Sequence, residues 1–181
     1  MSQEIREQKI LLAGFGGQGV LFAGKVISYT GLIEDRELSW MPSYGPEMRG
    51  GAANCSVTLS DSPIGAPEVK KPTTLIAMNQ PSFDKFAEAV EPGGLIVTDK
   101  TLVPRIKEVE NVKICHTDAS EILIDNKLSS LLNMFLLGKF FAETHFCKEE
   151  NLFKALEKCI PEKRKHLVEP NTKAIKLGIE N

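Results

Sequence analysis

Six residues near the start of the chain, Gly14-Phe15-Gly16-Gly17-Gln18-Gly19, can hold an anion without any charged side chain. Glycine permits positive φ and close approach, so successive backbone N–H groups can converge on a phosphate. The spacing Gly14-x-Gly16-x-x-Gly19 matches the dinucleotide fingerprint, in which amides and a helix N-terminus face a pyrophosphate. Gln18 adds a side-chain amide that can bond the anion or a neighbouring loop. A second block, Pro42-Ser43-Tyr44-Gly45-Pro46-Glu47-Met48-Arg49-Gly50-Gly51, sets reactive side chains among glycines and prolines. Arg49 offers a planar fork for a carboxylate or phosphate. Gly45, Gly50 and Gly51 allow another chain to come close, while Pro46 fixes its own φ. Each block also has a plainer use. A glycine turn can simply pack a strand on a helix, and a Glu47–Arg49 pair on a solvated loop adds little stability.

The elements around these residues decide between the uses. Lys9-Ile10-Leu11-Leu12-Ala13 is a short apolar run that ends at the glycine turn, as a buried parallel strand does. From Val20 to about Ile33 no proline intervenes, and Val20, Ala23, Val26, Ile27 and Thr30 fall at helical spacing. Gly31 lies where a helix is expected to cap. Strand, turn and helix thus follow in the order that an anion site needs. The NAD version further needs an acid at the tip of the second strand, about 20 residues on. Glu34 and Asp35 stand near that distance but precede the next expected strand, Glu37–Met41. The NAD reading is therefore demoted, and a phosphate of another kind is preferred.

Farther along, Ala53, Cys55, Val57 and Leu59 alternate with polar residues, the period of a half-buried strand. The connection before it, about eleven residues, exceeds the usual 4–6 and suits a functional loop. Strands are expected at Thr74–Met78, Leu95–Thr98 and Val112–Cys115, with a helix from Ser82 to about Val90 carrying Phe83, Phe86, Ala87 and Val90 inward. Helical sequence follows from Ala119. Leu128 to Phe141 leaves almost no polar face, so this stretch is buried, and Gly138 inside it suggests a close backbone contact. An amphipathic helix spans Glu149–Cys159, and a short last one opens at Pro170 and ends near Gly178. The alternation predicts an α/β fold: one domain over 1–181, a mainly parallel open sheet with helices on both faces.

Composition narrows the function classes. With 22 Lys+Arg against 24 Asp+Glu, the chain lacks the excess positive charge of a nucleic-acid-binding surface. The polar start, Met1 to Gln8, resembles neither a signal nor a transit peptide. No apolar stretch approaches the roughly 20 residues of a membrane span, so a soluble, cytoplasmic chain is expected. Cys55, Cys115, Cys147 and Cys159 form no C-x-x-C pair, and their spacings fit neither zinc nor the common cluster patterns. They read as free thiols of a reducing compartment. His116, His145 and His166 are dispersed, so no metal site is expected.

Taken together, Gly-Phe-Gly-Gly-Gln-Gly and Met-Pro-Ser-Tyr-Gly-Pro-Glu-Met-Arg-Gly-Gly-Ala-Ala-Asn-Cys-Ser-Val resemble the γ subunit, or γ domain, of 2-oxoacid:ferredoxin oxidoreductases. The likeness runs over essentially the whole chain, with echoes at Asn133-Met134, Leu137-Gly138, Asn171, Ala174 and Gly178. The second block is most similar to the 2-oxoglutarate branch, with pyruvate and branched-chain enzymes left open. The resemblance implies a Rossmann-like γ-domain fold and a reaction: CoA-dependent oxidative decarboxylation of a 2-oxoacid to an acyl-CoA and CO2, with reduction of ferredoxin. Thiamine diphosphate and [4Fe–4S] clusters are then carried by partner α, β and ferredoxin-like δ subunits, and none by this chain. Gly14, Gly16, Gly17, Gln18 and Gly19 become the candidate turn for a CoA phosphate. Ser43, Tyr44, Gly45, Glu47, Arg49 and Gly50 become the candidate edge toward the active site or a partner. No residue here is assigned as general base or nucleophile. The rival readings are an independent NAD(P)-binding oxidoreductase and a pure assembly subunit.

Overall fold

The apolar run at the start of the chain forms the strand around which the sheet is built, β1 (Gln8–Phe15). The computed structural model describes residues 7–43 and 51–181. On one side β1 pairs in parallel with β4 (Thr74–Ala77), which continues in parallel to β5 (Leu95–Asp99) and β6 (Lys113–Thr117). On its other side β1 pairs antiparallel with β3 (Ala52–Ser60), and β3 antiparallel with the edge strand β2 (Glu37–Ser43). The order is β2-β3-β1-β4-β5-β6.

The sheet is therefore mainly parallel, as expected, with β3 alone running against the rest. The reason is geometric. A parallel crossover needs about a dozen residues or more, and the connection 44–51 between β2 and β3 is shorter than that. Chain reversal is what such a connection can make.

Side-chain alternation gives the sheet two apolar faces. Ile10, Leu12, Cys55, Val57, Leu59, Ile76 and Val97 face one core. Over it pack α1 (Val20–Ile33), α3 (Ala119–Asp125), α4 (Leu132–Thr144), α5 (Glu149–Cys159) and α6 (Val168–Glu180). Leu11, Ala13, Leu75, Ala77 and Ile96 face the other core, under Phe83, Ala87, Val90 and Val103. There α2 (Gln80–Phe86) runs on into a 3-10 turn at Ala87–Ala89, which together replace the single helix expected from Ser82 to Val90. Helices lie on both faces, but most of the helical mass lies on one.

Two further expectations are corrected. Gly31 does not cap α1: it lies inside the helix, where a methyl carbon would sit 2.6 Å from Leu59 Cδ2. The residue with left-handed φ after the helix is Asp35, at 54°. Glycine at 31 lets α1 lie close on β3. The helical stretch from Ala119 is also split, into α3 and α4, by a turn with Lys127 at φ 59°.

Candidate functional site

At the C-terminal end of β1 the chain turns through Gly16 and Gly17 and enters α1 at Val20. Gly17 and Gly19 hold φ of 99° and 76°, conformations that L side chains rarely adopt, so glycine is required at both. Among the described residues, a methyl carbon on Gly17 would meet nothing within 4 Å, so the turn is open there to that extent. One on Gly14 would lie 2.6 Å from Gln18 Oε1 and 3.1 Å from Met78 Cβ, so Gly14 serves close packing.

The six predicted turn residues divide by what their polar groups do. The Gly16 N–H donates to the Gly51 carbonyl at 3.0 Å, and the Gln18 N–H donates to the Phe15 carbonyl at 3.2 Å. The Gln18 side chain is also engaged inward. Its Oε1 accepts from the Phe15 N–H at 2.6 Å and from Asn79 Nδ2 at 3.2 Å, while its Nε2 donates to the Met78 carbonyl at 2.9 Å. Asn79 in turn caps α2, accepting from the Ser82 N–H at 2.9 Å. Gln18 thus bonds the neighbouring β4–α2 loop, the second of its two expected uses. Among the described residues, the N–H groups of Gly17, Gly19, Val20, Leu21 and Phe22 have no protein acceptor. These five donors lie in the turn and the first turn of α1, where the helix dipole favours negative charge.

The two glycine blocks meet. Phe15 pairs with Ala52, and the Gly51 carbonyl takes the Gly16 amide, so the end of the second block is fastened to the turn. Ser43 ends β2 as an exposed residue paired with Asn54. Tyr44, Gly45, Glu47, Arg49 and Gly50 lie outside the described residues.

Two contributors were not assigned by sequence. Asn133, in the first turn of α4, donates from Nδ2 to the Gly19 carbonyl at 3.2 Å. Asn79 supports Gln18 from β4's end. The signals for Asn133 are its place in the family echo Asn133-Met134 and its being a lone amide in the apolar run Leu131–Leu137.

The turn carries no ionisable side chain of its own. Beneath it, Cys55 Sγ lies 3.6 Å from the Val20 carbonyl, and burial pushes its thiol up to about 12 despite the Trp40 hydrogen bond that opposes the rise. Such a thiol is protonated at neutral pH and is no nucleophile. Glu34, one of the two acids near the NAD position, is engaged elsewhere: its Oε1 accepts from the Lys148 N–H at 2.6 Å and Asn151 Nδ2 at 2.9 Å. The strand order adds to this, because β3 separates β2 from β1 and no β1-α1-β2 crossover to an adjacent strand is formed. Among the described residues no group of three His, Cys, Asp or Glu could hold a metal. What the turn can do is bind an anion through main-chain donors.

A family model described as pyruvate ferredoxin/flavodoxin oxidoreductase matches residues 9–181. The chain belongs to this family. Among known members, it is 40% identical over 139 residues to the ketoisovalerate oxidoreductase subunit VorA of Methanothermobacter marburgensis, covering 77% of this chain and 29% of that one. It is 35% identical over 179 residues to the 2-oxoglutarate synthase subunit KorC of Methanocaldococcus jannaschii, covering 96% and 92%. The chain thus spans 29% to 37% of the VorA subunits it matches and nearly all of that KorC. Among solved structures, the γ subunit of a keto/oxoacid ferredoxin oxidoreductase from Geobacter sulfurreducens superposes with a TM-score of 0.83 at 28% identity, over 97% of this chain and 95% of that one. The 2-oxoglutarate:ferredoxin oxidoreductase of Magnetococcus marinus, with 2-oxoglutarate, coenzyme A and succinyl-CoA bound, shares the fold at 20% identity, with a TM-score of 0.84 over 96% of this chain and 30% of that one. The family's α/β architecture is the one seen here.

Proposed function

We propose that this chain is the γ subunit of a cytoplasmic 2-oxoacid:ferredoxin oxidoreductase and supplies the turn that binds a phosphate of coenzyme A. The observation that carries the reading is the set of N–H groups at Gly17, Gly19, Val20, Leu21 and Phe22 that have no acceptor among the described residues, with open space at Gly17 among the same residues. Family membership and the near full-length match to a 2-oxoglutarate synthase subunit support the rest. In this reading CoA supplies the thiol that accepts the acyl group. The chain's own residues bind and orient it: amides hold the phosphate, Gln18 and Gly14 keep the turn tight, and the 43–50 block is assigned to partner contact. Thiamine diphosphate and the clusters would be held by α, β and δ partners and would supply the redox chemistry that reduces ferredoxin. The protein here positions and encloses cofactors that do the hard chemistry.

The substrate proposed is 2-oxoglutarate. A branched-chain 2-oxoacid is the second reading, favoured by the likeness to the ketoisovalerate subunits.

The test is co-expression with candidate partner subunits, followed by CoA-dependent viologen reduction with each 2-oxoacid in turn. Loss of activity without this chain is expected; full activity in its absence rejects a required role. Gly17→Asp places negative charge at the opening and is expected to raise KM for CoA at least tenfold. An unchanged KM rejects the phosphate site.

A further inference from the structure

The glycine turn is held from both sides by side-chain amides. Gln18 holds the Phe15 end, and Asn133 reaches the Gly19 end from a helix 114 residues away in sequence. We infer that Asn133 is a positioning residue for the anion site: by gripping the Gly19 carbonyl it aims the Val20 N–H at the bound phosphate. This rests on the reading of the turn as the CoA phosphate site.

Satisfying the Gly19 carbonyl is not what Asn133 is needed for. That oxygen already accepts from the Ala23 N–H at 3.0 Å, the first bond of α1. A second donor at 3.2 Å adds direction instead. The peptide unit is planar and trans, so the Gly19 C=O and the Val20 N–H point in opposite senses. Fixing one aims the other. Val20 is one of the five donors without an acceptor among the described residues, so the orientation being fixed belongs to the proposed site.

Asn133 can do this because it has little freedom of its own. It is 5% exposed and stands at the start of α4. A methyl carbon on Gly19 would lie 2.3 Å from Asn133 Nδ2, so the amide fills the space that glycine leaves there. The position of α4 along its axis is set by the crossing with α6, where a methyl carbon on Gly138 would lie 2.0 Å from the Ile175 carbonyl oxygen. The amide is therefore placed by helix packing before any ligand arrives. Preorganised donors of this kind bind charge without a reorganisation cost at the moment of binding.

The experiment measures KM for CoA and for the 2-oxoacid in the assembled complex carrying Asn133→Ala or Asn133→Asp, with Gly17→Asp alongside. Asn133→Ala is expected to raise KM for CoA about tenfold, and Asn133→Asp further, since it sets an acceptor and a negative charge against the carbonyl. KM for the 2-oxoacid keeps its value, which general loosening of the subunit would not allow. Wild-type KM for CoA in both variants, with Gly17→Asp still raising it, overturns the inference and leaves the site standing. If Gly17→Asp is also silent, the site itself fails. Asn133→Ser, a smaller side chain that keeps a donor, covers failure of the alanine variant to assemble: its KM for CoA is expected to rise severalfold, and an unchanged value overturns the inference.

Discussion

Gly138 of α4 and Gly178 of α6 meet backbone to backbone. A methyl carbon on Gly138 would lie 2.0 Å from the Ile175 carbonyl oxygen, and one on Gly178 would lie 2.0 Å from that of Phe135. The two helices cross through their buried faces at a separation that only hydrogen at both positions permits. The crossing fixes α4, and α4 carries Asn133 to the glycine turn.

Gly138→Ala therefore sets two effects against each other. Helix propensity favours alanine by about 1 kcal/mol. Forcing a methyl into rigid backbone costs about 1–3 kcal/mol or more, because neither helix carbonyl can rotate away. The clash wins. With a 2.0 Å approach putting the clash at the upper end of that range, we expect a net loss of about 1–2 kcal/mol and a fall of a few degrees in Tm, read by thermal unfolding. A Tm at or above wild type would show that the helices separate freely.

Most of this scaffold is legible in the sequence, and the reasons differ by element. The apolar run Lys9–Ala13, the helix from Val20 and the amphipathic Glu149–Cys159 are each set by local periodicity, and each forms where expected. The backbone contact at Gly138 follows from a glycine in an otherwise apolar helix. The antiparallel β3 is hidden because alternation reveals a strand but not its direction or neighbour. Gly31 misleads because glycine near a helix end serves close packing as well as capping. At the turn, spacing identifies the glycines, while the roles of Asn79 and Asn133 depend on contacts made across 61 and 114 residues. Pattern within a window cannot show those.

Gln18→Ala removes three hydrogen bonds, one to the Phe15 N–H within the turn and two that tie the turn to Met78 and Asn79 between β4 and α2. Phe15 is partly exposed, so water can replace some of what its N–H loses. A destabilisation of about 1–2 kcal/mol is expected, together with faster hydrogen exchange at the Phe15 amide. Unchanged exchange there would mean that the side chain does not hold the turn.

At the opposite end of the sheet, Glu143 is bonded by Lys113 and by Lys139, the latter at 2.9 Å. These two ammonium groups hold its carboxyl down at about 2, against an ordinary 4.5. A depressed folded-state value means that the stabilisation is complete above the ordinary value and is lost as pH falls through the lower one. Lys113 is largely in solvent, so screening limits the effect to about 1 kcal/mol. Glu143→Gln should unfold at lower urea than wild type near pH 7, with the two midpoints converging as pH falls from about 4.5 toward 2. A constant gap across that range would show that charge is not the cause.

Glu34 separates the CoA reading from the NAD reading by experiment. In a dinucleotide site an acid about 20 residues beyond the turn, at the tip of the second strand, binds ribose and leaves its carboxylate free for it. Here the Glu34 carboxylate, at the C-terminal end of α1, accepts from the Lys148 N–H at the start of α5 and from Asn151 Nδ2. An acid so placed satisfies an orphan donor and complements the positive end of the α5 dipole. Its removal resembles loss of an N-cap. Glu34→Ala should lower stability by about 1 kcal/mol, seen in the urea midpoint, and leave KM for CoA unchanged. If Glu34→Ala instead keeps full stability and abolishes measurable NAD(H) binding by the isolated chain, the acid serves a ribose and the CoA assignment of the turn is wrong.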